Sequence, residues 1–392
     1  MTFSKLPLGY CTNVHTGQTF EEVLFGIENY TSQVCDRIGE TVAAGLWLGA
    51  LVIEELTSEP QKIVRLSETL QKHNLPCYSL NAFPFGDFHS ERVKKNVYFP
   101  NWAEPARLEY TKKCAQVLAQ LLPTETEGSI STLPLGFKNT AEDSTVTQNS
   151  FNPFLDLAES LRQLFEKTGK TIRIAIEPEP LCILETTEET IAFFRQLYAK
   201  AEEQGLLETV KTYIGVNYDV CHQAVEFEDV TESIRSLEAN GIRINKVHIT
   251  CALQLDRPAE NGSACEELLH YVEPRYLHQT FAKTQDSKIL HRIDLNKELI
   301  RNPDEEFLHA ETWRIHFHVP VNAERIGALK TTRPVLREAL QTVAALVYAP
   351  HLEVETYTWN VLPNAASLDV VEGIAQELRA TKAMLSEIAS AD

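Results

Sequence analysis

Apolar segments of strand length alternate with amphipathic segments of helix length along almost the whole chain. The strand-like segments lie at residues 8–13, 46–53, 77–83, 130–135, 172–176, 213–218, 246–250, 313–319 and 352–355. Between them, as at residues 61–72 and 107–122, apolar side chains recur at the i, i+3, i+4 and i+7 spacing of one helix face. Strand–helix alternation is typical of a parallel α/β sheet, and about eight such units that close on themselves form a (β/α)8 TIM barrel. The pattern therefore predicts this barrel.

The sequence contains nine strand-like segments, one more than the eight strands of a TIM barrel. Residues 253–312 are long, polar and rich in turn signals such as Asn261-Gly262. We therefore expect a single domain over residues 1–392 with an insertion at about 253–312, after strand seven. Residues 313–319 are then expected to return the chain to the barrel. A second irregular stretch, residues 139–153, is expected to form a mobile loop.

Composition and charge limit the compartment and the partners. The longest apolar run, residues 42–53, is shorter than the roughly 20 residues of a membrane-spanning helix, and the N-terminus has no signal-peptide pattern. Eight scattered cysteines without a CxxC pair are typical of a reducing compartment. A net charge of −19 disfavours binding to nucleic acid. These features predict a cytoplasmic protein without membrane insertion or a nucleic-acid partner.

Acidic and imidazole side chains stand at the ends of four predicted barrel strands. Glu177 follows residues 172–176, Asp219 follows residues 213–218, His248 lies within residues 246–250, and Glu355 ends residues 352–355. In TIM barrels these strand ends meet at one face, where the chemistry takes place. Together, two glutamates, an aspartate and a histidine predict a site for one divalent cation, such as Mn²⁺, Mg²⁺, Co²⁺ or Zn²⁺.

Each of these side chains also has a structural interpretation. Glu177 could belong to a solvated turn, Asp219 could cap the next helix, and His248 could be a satisfied core residue. Glu353 shares a strand face with Glu355, so it is either a buried partner of the site or a solvated side chain.

Three further histidines are candidates for a neighbouring site. His222 lies three residues after Asp219, where it either completes an oxygen-plus-imidazole pair or simply begins a helix. His316 and His318 project to one side of residues 313–319. They could therefore bind substrate or a second metal, or they could form the polar face of a half-exposed strand.

Asparagines and histidines follow the first and third strand-like segments. Asn13 and His15 come after the first, and Asn81 and His89 lie in an aromatic segment after the third. Amides bind hydroxyl groups and aromatic rings cover apolar faces, so this mixture indicates a pocket for a polyhydroxylated small molecule. The alternative is an aromatic loop that only packs against the barrel.

The candidate metal set resembles that of the xylose isomerase-like barrels, a superfamily with sugar isomerases, ketose 3-epimerases and endonuclease IV. More narrowly, the motifs LGYCTNVHTGQ, NAFPFGDFH, STLPLG, IEPEP and NYDVCH resemble the EboE family of metabolite-traffic proteins over nearly the whole chain. In the epimerases, the glutamates of strands five and eight are metal ligands that also act as acid and base. The resemblance assigns these roles to Glu177 and Glu355.

Three functions remain open at this stage. The leading one is a metal-dependent isomerase or epimerase of a sugar or sugar-like metabolite, in a metabolite processing or export pathway. The alternative is a non-catalytic metabolite-binding or traffic protein that keeps the barrel. A further alternative is a metal-dependent phosphodiesterase, which requires a basic mouth and clustered metals; the acidic net charge disfavours it.

Overall fold

The computed structural model describes residues 3–139 and 141–390. The strands in chain order are β1 Gly9–Cys11, β2 Ala43–Trp47, β3 Ser79–Asn81, β4 Gly128–Thr132, β5 Ile172–Ile176, β6 Ile214–Asp219, β7 Ile244–Ile249, β8 Leu253–Asp256, β9 Thr280–Lys283, β10 Ile289–Arg292, β11 Thr312–Ile315, β12 Arg325–Ile326, β13 Leu329–Thr331 and β14 His351–Val354. The helices are α1 Phe20–Gly26, α2 Ser32–Ile38, α3 Ala50–Ser58, α4 Pro60–Lys72, α5 Pro105–Leu121, α6 Asp143–Thr168, α7 Thr187–Glu203, α8 Leu207–Tyr213, α9 Val220–Val225, α10 Val230–Ala239, α11 Gly262–Leu268, α12 Lys297–Arg301, α13 Glu305–Leu308, α14 Arg333–Ala344 and α15 Val370–Ser390.

Eight parallel strands close into a barrel in the order β1-β14-β7-β6-β5-β4-β3-β2. The predicted TIM barrel is therefore confirmed. The register places His248 of β7 opposite Asp219 of β6 on one side and Glu353 of β14 on the other. Three titratable residues thus lie side by side across neighbouring strands.

The helices between the strands bury one apolar face each. Helix α4 begins with Pro60, whose fixed φ suits a first helical position, and it buries Ile63, Leu66 and Leu70 at helical spacing. Leu66 is fully buried, so its truncation to alanine would cost about 2–5 kcal/mol. No helix within residues 3–139 or 141–390 is both long enough and apolar enough to cross a bilayer.

A second, antiparallel sheet follows strand β7 and lies outside the barrel. Its strand order is β10-β9-β11-β8-β13-β12, and it spans residues 253–331. The expectation that residues 313–319 return the chain to the barrel is wrong, because β11 pairs with β8 and β9 of this sheet. Trp313 is buried against Phe307 of the insertion at 5.3 Å between ring centroids. The chain returns to the barrel through α14 and β14.

Two further sequence expectations are corrected by the structure. The strand predicted over residues 46–53 ends at Trp47, and the run continues as helix α3, whose Val52, Ile53 and Leu56 are buried at helical spacing. Most of the predicted mobile loop at residues 139–153 belongs to helix α6, although Thr140 lies outside the described residues. Pro153 lies inside this helix.

Candidate active site at the barrel mouth

The carboxyl ends of strands β5, β6, β7 and β14 bring four side chains to one point. These side chains are Glu177, Asp219, His248 and Glu355, and each contributes one donor atom within 4.8 Å of the others. All four are buried, with Glu355 the most exposed at 4%. We call this group the barrel cluster. The structure thus brings together the four residues that the sequence predicts as metal ligands.

His248 lies at the centre of the barrel cluster. Its Nδ1 atom is 3.1 Å from Glu177 Oε1, 3.1 Å from Glu355 Oε2 and 3.5 Å from Asp219 Oδ2. The strand register produces this arrangement, because Asp219 and His248 are paired residues of β6 and β7. One imidazole nitrogen and three carboxylates therefore face a common position.

The electrostatics of the barrel cluster fit a cation. Burial raises the pKa of Asp219 and of Glu355, but the nearby histidines outweigh burial and hold both pKa values below their usual range. Within the described part of the chain, the buried atoms Glu177 Oε2 and Asp219 Oδ2 have no hydrogen-bond partner. Unpaired buried carboxylate oxygens are costly unless a positive charge compensates them, so this donor set fits a divalent cation.

Neighbouring polar groups hold the carboxylates in place. Asn13 Nδ2 and Asn81 Nδ2 each donate to Glu355 Oε1 at 2.9 Å. Thr250 Oγ1 donates to Asp219 Oδ1 at 2.6 Å. Asn13 and Asn81, which the sequence suggests as substrate-binding residues, therefore contact a candidate metal ligand and also line the cavity above it.

A buried ion pair lies below the barrel cluster. Lys246 Nζ is 2.7 Å from Glu353 Oε1, and both side chains are almost completely buried. The same Glu353 oxygen is 3.5 Å from His248 Nε2, the ring nitrogen that faces away from the cluster. Gly45 makes room for this carboxylate, since a Cβ there would lie 2.1 Å from Glu353 Oε2. Glu353 is thus a buried partner of His248, and the solvated alternative is wrong.

Three histidines converge beside the barrel cluster. His222 lies in the first turn of helix α9, whereas His316 and His318 lie in the segment directly after β11. The Nε2 atom of His316 is 3.1 Å from that of His222 and 3.3 Å from that of His318. Asp219 Oδ2 is 3.9 Å from the Nε2 atoms of both His222 and His318. We call His222, His316 and His318 the histidine cluster.

The other ring nitrogen of each of these histidines faces a carbonyl oxygen. A carbonyl oxygen only accepts, so each Nδ1 is placed to donate a hydrogen bond, and each Nε2 faces the neighbouring histidines. Burial and the neighbouring imidazoles hold the pKa of His316 well below its usual range, whereas burial of His222 is outweighed by nearby Asp219 and Glu179, which raise its pKa. Converging imidazole nitrogens fit a cation, so this cluster could hold a second metal. The acceptors are Pro178 O at 2.9 Å from His222, Gln279 Oε1 at 2.8 Å from His316 and Glu355 O at 2.9 Å from His318.

An open cavity lies above the two clusters. Its floor is polar and its walls are largely aromatic and aliphatic. His15 and His89 are not among the described residues that line it, so their role in substrate binding stays a prediction. His15 is buried against Tyr30, with stacked ring centroids 4.6 Å apart, and His89 packs on Trp47 at 5.4 Å.

Similar proteins are found among solved structures. The chain is similar to the IOLI protein with a bound zinc atom (13% identity, TM-score 0.50, 98% of this chain and 99% of that one). It is also similar to a xylose isomerase-like TIM-barrel protein from Mycobacterium smegmatis in complex with magnesium (11% identity, TM-score 0.51, 98% and 100%). The chain therefore shares the TIM-barrel fold of these two structures. No protein-family model and no curated protein sequence matches it.

Some residues of this candidate site are not predicted by the sequence pattern. Glu179 is buried in the cavity and accepts from Tyr98 OH at 2.7 Å, and burial raises its pKa to about 7. In the sequence, the one feature that marks Glu179 is its position between two prolines, two residues after Glu177. No sequence feature marks Gln279, which contacts His316, because β9 must first pair with β11 to bring the two residues together.

Proposed function

We propose that the protein is a metal-dependent isomerase or epimerase that acts on a sugar or sugar-like small molecule. Glu177, Asp219, His248 and Glu355 hold one divalent cation in this proposal. The observation that carries it is the convergence of four buried donor groups, two of which offer carboxylate oxygens without a partner among the described residues. The zinc and magnesium named for the two similar structures support a cation of the Mn²⁺, Mg²⁺, Co²⁺ or Zn²⁺ class.

The chemistry combines a cation with two carboxylates. A bound divalent cation would polarise a substrate carbonyl and its adjacent hydroxyl, which lowers the cost of removing a carbon-bound proton. Glu177 and Glu355 each approach His248 Nδ1 at 3.1 Å, so they flank the same point. Two carboxylates beside one carbon can remove a proton and return one. Glu355 Oε1 already accepts from two amides, whereas Glu177 Oε2 is free to take the proton.

The polar floor of the cavity suits a hydroxylated ligand. Asn13, Asn81, His222, His316 and His318 all line it. The first two belong to the LGYCTNVHTGQ and NAFPFGDFH motifs of the EboE resemblance, which supports a role in metabolite processing or export. The eight cysteines are all free in the described chain, which fits a reducing, cytoplasmic compartment.

The histidine cluster favours a second candidate function, a metal-dependent phosphodiesterase. Three nitrogen donors next to the barrel cluster could hold a second cation, and paired metals are typical of phosphoryl-transfer sites. Against it, Lys94 is the one Lys or Arg among the described residues that line the cavity, and its ammonium group is already engaged. A phosphodiester would meet little positive charge from the chain itself.

The experiment that tests the proposal combines metal content with proton exchange. Glu177→Gln is expected to lose bound Mn²⁺ by elemental analysis, whereas Glu305→Gln, at a side chain that is 89% exposed, retains it. The Mn²⁺-loaded protein is then incubated with a ketose and cyclitol panel in D2O and followed by NMR. Deuterium incorporation next to a carbonyl supports the proposal.

Three other results contradict the proposed function. Full metal occupancy in Glu177→Gln would show that Glu177 is not a metal ligand. Binding without exchange or conversion would favour a traffic protein. Hydrolysis of bis(p-nitrophenyl) phosphate without exchange would favour the phosphodiesterase.

A further inference from the structure

We propose that the substrate of this site is amphiphilic and carries no phosphate group. Its hydroxylated end contacts the barrel cluster, and an apolar body lies along the cavity wall. This inference rests on the proposed function and adds the substrate class. It follows from how polar and apolar groups are distributed in the cavity and from the partners of its one lysine.

The cavity changes from polar to apolar between its floor and its wall. The titratable side chains Glu177, His222 and Glu355 lie at the floor, where the donors converge. The wall includes side chains without any polar atom, which offer a ligand contact area but no hydrogen bond. These are Phe83, Pro84, Phe88, Val93, Val97 and Leu277. A small polyol that filled this volume would leave hydroxyl groups against apolar surface, which is unfavourable.

The aromatic part of the wall is formed by rings from distant parts of the chain. Phe88 lies 5.0 Å from Tyr276 and 5.5 Å from Tyr357, and Tyr276 lies 4.9 Å from Tyr357, between ring centroids. Phe88 follows β3, Tyr276 belongs to the insertion, and Tyr357 follows β14. Because the three rings support one another, the apolar surface is present before a ligand binds, which lowers the cost of binding.

The cavity's lysine holds the wall together and is not available to an anion. Lys94 Nζ donates to Tyr276 O at 2.6 Å and to Glu273 O at 3.2 Å, and it lies 2.7 Å from Asp294 Oδ2. These three acceptors match the three N–H groups of an ammonium ion. In addition, the backbone N–H groups of Val93 and Lys94 both donate to Arg275 O. A phosphate group in this cavity would therefore meet no free lysine or arginine among the described lining residues.

Hydroxamates test the substrate class directly, because one bidentate metal-binding head can carry different bodies. The affinities of acetohydroxamate, benzohydroxamate and phosphoglycolohydroxamate for the Mn²⁺-loaded protein are measured by calorimetry. We expect benzohydroxamate to bind at least about tenfold more tightly than acetohydroxamate, since its ring buries apolar area against the wall. Phosphoglycolohydroxamate is expected to bind no more tightly than acetohydroxamate.

Variants of the wall assign the preference to this cavity. Leu277→Asn should lower the ratio of benzohydroxamate to acetohydroxamate affinity several-fold. Val97→Thr, a replacement of similar shape that keeps the fold, should lower it to a smaller extent. Val347→Asn, at a side chain that is 91% exposed, is the control and should leave the ratio unchanged.

The outcomes separate this inference from the proposed function. Equal affinity for acetohydroxamate and benzohydroxamate, or tighter binding of phosphoglycolohydroxamate, would contradict the amphiphilic substrate. Neither result would contradict the proposed metal site. A ratio that Leu277→Asn and Val97→Thr both leave unchanged would also contradict the amphiphilic substrate. Binding that does not depend on Mn²⁺ for any of the three overturns the proposed function and this inference together.

Discussion

The two donor clusters at the barrel mouth differ in which part of the fold supplies them. The barrel cluster takes all of its donors from strand ends, which any closed parallel barrel brings together. The histidine cluster takes His316 and His318 from the insertion and only His222 from the barrel framework. Asp219 lies between the clusters, within 3.5 Å of His248 Nδ1 and 3.9 Å of two histidine Nε2 atoms. The fold thus has one donor cluster that the barrel alone forms and a second that depends on the insertion.

The largest expected effect comes from the residue that both clusters share. Asp219→Asn removes a charge from each, so metal affinity should fall by at least about a hundredfold at both positions. Calorimetric titration with Mn²⁺ and Zn²⁺ measures this, with Asp156→Asn, at a side chain that is 56% exposed, as the matched control. Unchanged affinity in Asp219→Asn would mean that Asp219 is not a ligand.

A substitution in the histidine cluster alone should distinguish the metal binding of the two clusters. His318→Gln removes one of three converging nitrogens, so a second cation held by the histidine cluster should be lost while the barrel cluster keeps its own. Elemental analysis after dialysis gives the stoichiometry. Simultaneous loss of both equivalents would show that the clusters form one site.

The ion pair below the barrel cluster should affect that cluster more than its neighbour. Glu353→Gln leaves the buried Lys246 without a countercharge, so the free energy of unfolding should fall by about 3–5 kcal/mol. It also removes the carboxylate that faces His248 Nε2, so the metal affinity of the barrel cluster should fall by about 10- to 100-fold. Urea unfolding and Mn²⁺ titration measure the two effects. Glu387→Gln, which breaks the exposed ion pair with Arg337, should cost far less. Equal losses in the two variants would contradict the supporting role of Glu353.

A histidine outside both clusters should influence only the pH dependence of stability. Burial, helped by nearby His89, lowers the pKa of His15 from 6.5 to about 3. Because the neutral form of His15 is favoured in the folded state, its contribution to the free energy of unfolding is complete above pH 6.5. That contribution is lost as the pH falls towards 3. The loss between pH 6.5 and pH 4 is about 3 kcal/mol at most.

Urea unfolding of His15→Gln across this pH range measures the contribution. The variant should lose less stability on acidification than the wild type, whereas His309→Gln, at a side chain that is 64% exposed, should follow the wild type. Parallel curves for His15→Gln and the wild type would contradict the assignment of this contribution to His15.

The same contrast explains which parts of the molecule can be predicted from sequence. The barrel follows from periodicity, and Glu177, Asp219, His248 and Glu355 follow from their positions at strand ends, because parallel strands bring those ends together. The insertion is formed by antiparallel pairing between strands as far apart as β8 and β13, and no local pattern specifies those partners. Residues 313–319 show the difference, because the strand there covers only residues 312–315 and pairs within the insertion rather than in the barrel.

Two side chains of the site illustrate what local patterns leave out. Lys94 contacts Tyr276 of the insertion, and Gln279 contacts His316 within the insertion. These contacts exist only after the insertion has folded against the barrel. Neither side chain has a neighbour in sequence that reveals its role. For His15 and His89, the motif predicts a place in the site, whereas the structure shows aromatic contacts with Tyr30 and Trp47 that no local pattern specifies.

The barrel cluster is expected to bind a divalent cation, and anomalous scattering from crystals of the Mn²⁺-loaded protein can locate it. A peak should appear within coordination distance of Glu177, Asp219, His248 and Glu355, and it should be lost in Glu177→Gln. A wild-type map without a peak there, or with a peak only at the protein surface, would show that the cluster does not bind the cation.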